Sequence, residues 1–407
     1  MRRESLVIGL ALAAATSCQG AGEAEDARLD GPTPSDAQGD VARAEDSGPD
    51  AGADLAARAD AILGPAFAAT PTSLDECVGG VAVLVTADAE LVRGWGATEL
   101  GGARTPDGTT LFQIGSLTKV FTGLAVARLI EDGAFSADTS AGELLAADLR
   151  DAVPSWPSMV ALLSHHGGLP TFPSNLVDRD GDGLRDPGID PRSPAAGYGR
   201  LELRASLAGW SPLPNEPYRY SNVGVGLAGL AVQDHLGLTG HDEVLRRLVT
   251  GDLGMRDTWG EVAAIPAAER GRLAAGHVVE GTSRAPGIPG EMGVLASAGE
   301  IVTGARDMQR LLRALLGLDA TPLAGAIARA TAPAADGPEG RAMGYAVEIE
   351  ESAGRVRYRK GGNTSSYAAY LIWSTSPPAG VALLTNCGGF MRVVDLAAAL
   401  HDAAQPP

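Results

Sequence analysis

The sequence predicts an α+β fold in which the two ends of the chain share one sheet. Three observations carry this. Apolar runs at 78–86 and 91–95, separated by Ala87-Asp88-Ala89-Glu90, read as a hairpin. Four further runs, at 342–350, 356–360, 367–374 and 380–386, crowd the C-terminal end. Between the two groups, helical segments alternate with loops dense in Pro and Gly. Strands at both ends with helices between them place the ends in one sheet. A chain of 407 residues without internal repeats suits one large core or two closely packed subdomains.

In chain order, residues 1–17 read as an export leader. Arg2 and Arg3 precede an apolar run from Leu6 to Ala15, and Ala15-Thr16-Ser17 is a small-residue site before Cys18. The run is too short to span a bilayer. A small triplet ending in Cys resembles the lipobox of bacterial lipoproteins, which makes Cys18 the lipidated first residue of an exported, membrane-anchored chain; the alternative is an ordinary secretory signal. Residues 18–54 read as a disordered tether, with almost no large apolar side chain. Ten acidic residues stand against two arginines from 19 to 54, so minus 8 of the chain's minus 18 lies there. This acidity serves solubility and extension, and no basic patch points to nucleic acid.

The compact domain is expected over 55–405. An amphipathic helix opens it, with Leu55, Ala59, Ile62, Leu63 and Ala66 at helical spacing. After the hairpin, a helix begins near Ser116 and carries no charge from Val120 to Ala127, which implies burial on most sides, with Gly133 as its cap. Residues 393–404 read as a closing helix.

Of the 32 basic residues only two are lysines, Lys119 and Lys360. A lysine kept among arginines suits work a guanidinium cannot do, such as losing a proton when buried. Ser116 and Lys119, three apart on a helix, share one face about 5 to 6 Å apart at Cβ. There the lysine can relay the serine proton. Ser116 can equally be a helix cap and Lys119 a snorkelling surface residue.

S-x-x-K is paired with S-D-N and K-T-G in class A β-lactamases and penicillin-binding proteins. This chain has Tyr220-Ser221-Asn222 and then Lys360-Gly361-Gly362, with L-L-S-H-H-G-G-L-P at 162–170, L-G-M-R-D-T at 253–258 and A-R-D-M-Q-R-L at 305–311. In these strings it resembles the serine β-lactamase and penicillin-binding protein superfamily, in particular the class C branch with its D,D-carboxypeptidase, D-aminopeptidase and esterase relatives. The resemblance implies an antiparallel sheet from both chain ends flanked by helices, an all-helical subdomain, and an active site in the cleft between. It makes Ser116 the acylated nucleophile, Lys119 its proton relay and Tyr220 the general base, kept reactive by two ammonium groups. Asn222 would hold Lys119 and bind the acyl side chain. Lys360, on an edge-facing strand, would tune Tyr220 and attract a substrate carboxylate. Gly362 and the N–H groups of Ser116 and Asn363 would form the oxyanion hole.

The third motif departs from K-T-G at Gly361, so a carboxylate-binding hydroxyl is missing unless Thr364 or Ser365 supplies it. The expected activity is an exported serine hydrolase working through an acyl-enzyme on a D-amino-acid peptide, a β-lactam or a small ester, with no cofactor for catalysis. The alternative is a non-catalytic penicillin-binding or sensor lipoprotein of the same fold.

Two features lie outside the motifs. Asp178, Asp180, Asp182 and Asp186 fall at positions 1, 3, 5 and 9 of a calcium loop, with Gly183 at the turn and Leu184 offering its carbonyl, but Ile189 stands where a Glu is expected. The run reads either as a structural calcium site ordering a lid or as a solvated acidic turn. His165 and His166 invite a metal reading, though in relatives the first appears structural. In the family fold the strands beside Cys77 and Cys387 are antiparallel neighbours, which implies a disulfide in an exported protein, against two buried free thiols.

Overall fold

The computed structural model describes residues 50–211, 216–352 and 354–405. The leader, Cys18 and most of the tether lie outside them. The chain divides into Met1–Asp50 and Ala51–Pro407, and the second unit is the subject below.

Its centre is an eight-stranded antiparallel sheet. The N-terminal hairpin supplies β1 (Gly79–Thr86) and β2 (Glu90–Gly96), turned by the Thr86 hydroxyl, which accepts the Ala89 N–H at 2.9 Å. Strands β3 (Leu111–Gln113), β4 (Thr258–Trp259) and β7 (Val302–Gly304) form a separate three-stranded sheet, and β5 (His277–Glu280) and β6 (Ser283–Pro286) a hairpin. The C-terminal end supplies β8 (Ala335–Asp336), β9 (Ala342–Met343), β10 (Glu348–Ser352), β11 (Arg355–Asn363), β12 (Ala368–Thr375) and β13 (Pro378–Thr385). The strand order is β2-β1-β13-β12-β11-β10-β9-β8, so β1 and β13, second and third from one edge, join the two ends of the domain.

Side chains alternate across these strands. Val81, Val83 and Val85 face the large core shared with the helical half, while Ala82 and Leu84 face the opening helix Asp50–Leu63 and the closing helix Val393–Ala404. The closing helix buries Val393, Leu396, Ala397 and Leu400, a stripe at helical spacing. Cys77 and Cys387 are disulfide-bonded at one end of this layer, with Cα atoms 5.7 Å apart.

The expected strand over 342–350 is two strands. Its middle leaves the sheet: Ala346 has φ of 60°, and the N–H groups of Tyr345 and Ala346 donate to the carbonyls of Ala330 and Leu163, both 2.9 Å away. Docking onto the helical half takes these backbone groups away from the ladder.

Two helices dominate the helical half. Thr118–Glu131 is buried without a break from Thr118 to Ala127. Asn222–Leu236 is capped by Ser221, whose hydroxyl accepts the Gly224 N–H at 2.8 Å, and closed by Gly237 in the left-handed region. Among the described residues no helix is long and apolar enough to cross a membrane.

Candidate active site

Ser116 lies on a single 3₁₀ turn, Gly115–Leu117, just ahead of the helix that carries Lys119. The turn continues β3, and the Ile114 N–H donates to the Ile301 carbonyl at 3.0 Å. Opposite it, β10 ends at the Glu348–Arg359 pair, so the Lys360–Asn363 part of β11 pairs only with β12. The strand named edge-facing from its sequence is interior along its first half and presents a free edge only along its last.

The contact between turn and strand is made backbone to backbone. A Cβ on Gly362 would fall 1.9 Å from the Ile114 carbonyl oxygen, and one on Gly115 would fall 2.6 Å from the Asn363 nitrogen. Gly115 also has φ of 53°. Glycine at both positions lets the Asn363 N–H come beside Ser116. The Asn363 side chain is held from behind, its Oδ1 accepting the Gly389 N–H at 3.1 Å.

The structure brings Ser116, Lys119, Tyr220, Asn222 and Lys360 together. Lys119 Nζ lies 2.9 Å from Ser116 Oγ and 2.6 Å from Asn222 Oδ1, and it also meets the Ala298 carbonyl. The Tyr220 hydroxyl lies 2.6 Å from Ser116 Oγ. Both lysine nitrogens sit by the Tyr220 ring, Lys119 Nζ 5.1 Å and Lys360 Nζ 4.9 Å from its centroid.

Electrostatics revise the expected protonation. Burial, then the Lys360 charge, pulls Lys119 well below the ordinary lysine range. Lys360 is lowered by burial and partly restored by Glu348. Tyr220 moves up, not down: burial of its hydroxyl outweighs the hydrogen bond to Ser116. Burial thus works against the phenolate form of Tyr220. Lowering the lysines and raising the tyrosine both shift the pair toward a neutral amine and a neutral phenol.

His165, whose motif points to no part in the chemistry, touches the site. It is buried in the left-handed region, φ 66°, with its ring 4.6 Å from that of Tyr220 and its Nδ1 accepting the Ser221 N–H at 3.2 Å. Burial, then the charges of Lys360, Lys119 and His166, keeps it neutral. The Ala298 carbonyl is the partner that residue types could not reveal, because any residue carries a carbonyl.

Of the two hydroxyls that could replace the missing motif threonine, Ser365 spends its O–H elsewhere, whereas Thr364 is engaged only as an acceptor. Thr364 Oγ1 accepts the N–H groups of Ser366 and Tyr367, and Ser365 Oγ donates to the Arg192 carbonyl at 2.8 Å. In the acidic loop, carboxylate oxygens of Asp178, Asp180 and Asp186 lie within 4.8 Å of one another. Asp182 stands apart from this set, its carboxylate accepting the Leu184 N–H at 2.7 Å. Three convergent carboxylates suit a hard divalent cation, but fewer donors converge than the sequence suggested.

A sheet built from both ends of the domain thus brings a serine, a lysine and a tyrosine together at its free strand edge. The β-lactamase family model matches residues 67–405, and the chain belongs to the β-lactamase family. Solved structures of the same fold include a class C β-lactamase from Rhodobacter sphaeroides, at 19% identity and a TM-score of 0.68, covering 85% of this chain and 98% of that one. A β-lactamase from Sulfitobacter sp. EE-36 matches at 19% and 0.68, covering 87% and 97%. The octameric penicillin-binding protein homologue from Pyrococcus abyssi matches at 19% and 0.67, covering 85% and 75%. No curated protein matches the chain.

Proposed function

We propose that the protein is an exported serine hydrolase that acylates Ser116 and then hydrolyses the acyl-enzyme, acting on an amide or ester such as a D-amino-acid peptide, a β-lactam or a small ester. The observation that carries this is the double contact at Ser116 Oγ, with Lys119 Nζ at 2.9 Å and the Tyr220 hydroxyl at 2.6 Å.

Lys119 is the base. Two of its partners, Asn222 Oδ1 and the Ala298 carbonyl, can only accept, so a neutral amine commits its two hydrogens to them and turns its lone pair to the serine proton. Ser116 Oγ bonds to the substrate carbonyl carbon as its proton passes to Lys119. The N–H groups of Ser116 and Asn363 receive the oxyanion. When the carbonyl reforms and the bond to the leaving nitrogen or oxygen breaks, the Tyr220 hydroxyl supplies the proton that group needs. The phenolate left behind recovers a proton from the Lys119 ammonium. In the second half, water attacks the acyl carbon, gives up a proton to this pair, and Ser116 Oγ leaves with one. Lys360 adds a positive charge that draws a substrate carboxylate.

The leader and Cys18 support export and lipid anchoring, with the acidic tether as spacer. The 178–190 loop is a structural cation loop at the rim, with calcium held by Asp178, Asp180 and Asp186 and taking no part in acyl transfer. The deciding experiment treats wild type and Ser116→Ala with a fluorescent penicillin and a chromogenic ester. Adduct or turnover in the wild type alone supports the reading, and a wild type inert to both overturns it. An adduct that forms and persists makes the protein penicillin-binding rather than hydrolytic.

A further inference from the structure

We propose that Thr122 is a positioning residue for Lys119, acting through the backbone of Ser297 and Ala298. The inference rests on the reading of Lys119 as the base. Three side chains of one helix grip one segment. Thr118 Oγ1 accepts the Ile301 N–H at 3.0 Å, Lys119 Nζ meets the Ala298 carbonyl, and Thr122 Oγ1 donates to the Ser297 carbonyl at 2.7 Å. Thr118, Lys119, Thr122, Ser297 and Ala298 are all buried.

A threonine inside a helix usually turns its hydroxyl back to the carbonyl four residues earlier. Thr122 keeps only a 3.4 Å contact of that kind, to Thr118, and spends its shorter bond on a residue 175 positions away. Ser297 is held from the other side by the helix Asn222–Leu236. Its hydroxyl donates to the Gly226 carbonyl at 3.3 Å, and Gly229 leaves it room, because a Cβ there would fall 2.2 Å from Ser297 Oγ. The segment is thus wedged between the helix that presents Lys119 and the helix that presents Asn222.

This wedge fixes where the Ala298 carbonyl points. That carbonyl is one of the two acceptors that commit the hydrogens of the Lys119 amine, and its dipole favours the ammonium once the serine proton arrives. The other ionisable groups around Lys119 are Lys360, Tyr220 and His165, and replacing the neutral Thr122 changes none of their charges.

The chain's two lysines make the test direct. Full-length protein labelled with ¹³C at lysine Cε gives two signals to titrate by NMR, assigned with Lys360→Met. In Thr122→Val the Lys119 midpoint is expected to fall by about half a pH unit, since a loosened carbonyl supports the ammonium less, while Lys360 stays put. The acid limb of Ser116 acylation by a chromogenic ester should move the same way, with kcat/KM down about tenfold. Thr122→Ser should restore both. A Lys119 midpoint and acid limb unmoved in Thr122→Val, or a Thr122→Ser variant as impaired as the valine, overturns the proposal. Should the valine variant not fold, Thr122→Ala removes the same bond without adding bulk and is read the same way. A wild type that no ester acylates overturns the reading of Lys119 as base, whereas the NMR midpoint still decides whether Thr122 governs Lys119.

Discussion

The turn that carries Ser116 and the acidic 178–190 loop both depend on glycine, for opposite reasons. At Gly362 a neighbour's carbonyl oxygen occupies the place of a side chain, 1.9 Å from where Cβ would be. At Gly183 nothing lies within 4 Å, and only φ of 84° asks for glycine. The chemistry sits where segments far apart in sequence press together. The loop is built from local turns, such as the Gly183 N–H donating to Asp178 Oδ2 at 2.9 Å, and its residues 180–185 are exposed. Precision at the site thus comes from long-range packing, which local substitutions in the loop should leave intact.

The harshest way to break this contrast is Gly362→Ala. It should cost about 3 kcal/mol in denaturant unfolding, because the clash is with backbone and cannot be relieved by a rotamer, and Ser116 acylation should collapse with it. A variant of ordinary stability and activity would mean that the interlock does not set the site.

A second test asks what burial does without partners. His241 is fully buried, neither ring nitrogen has a hydrogen-bond partner among the described residues, and burial pushes it down to about 3. Because the folded value is depressed, the unfolded chain takes up the proton first as pH falls, so stability drops from about pH 6.5 toward 3. Between pH 7 and pH 5 this group alone should cost about 2 kcal/mol. His241→Leu should lessen the loss between pH 7 and pH 5 by about that amount, His165 keeping its own share, and leave acylation unchanged. An unaltered profile would show that the ring can protonate in place.

The mildest effects belong to the loop. Gly183→Ala should cost about 1 kcal/mol, measured by thermal unfolding, with no change in acylation. Millimolar calcium should raise the melting temperature of wild type, and Asp178→Asn should abolish that rise. A melting temperature indifferent to calcium would make the loop a plain acidic turn.

Much of this was legible in the sequence for a physical reason. Ser116, Lys119, Tyr220, Asn222 and Lys360 meet through side chains whose chemistry few other residue types share, so their spacing survives as a pattern. The hairpin and the closing helix were legible because periodicity records which face is buried. What stayed hidden belongs to the backbone or to three-dimensional surroundings. The Ala298 carbonyl has no residue-type signature, and the break at Ala346 follows from docking onto Ala330 and Leu163 rather than from any local breaker. The charges near Tyr220 could be counted from the motifs, but the depth of its hydroxyl could not, and that depth pushes its pKa up. The Ser365 hydroxyl was available by composition and proved to be committed to the Arg192 carbonyl.

The Cys77–Cys387 bond spans a sequence separation of 310. It closes a covalent ring that contains the Ser116 turn, the acidic loop and all thirteen strands. A protease that clips the exposed 180–185 stretch would open this ring without releasing a fragment. The nicked protein would keep its mass apart from one added water, migrate as a single band until reduced, and hold Ser116 and Tyr220, now on separate peptides, within one molecule.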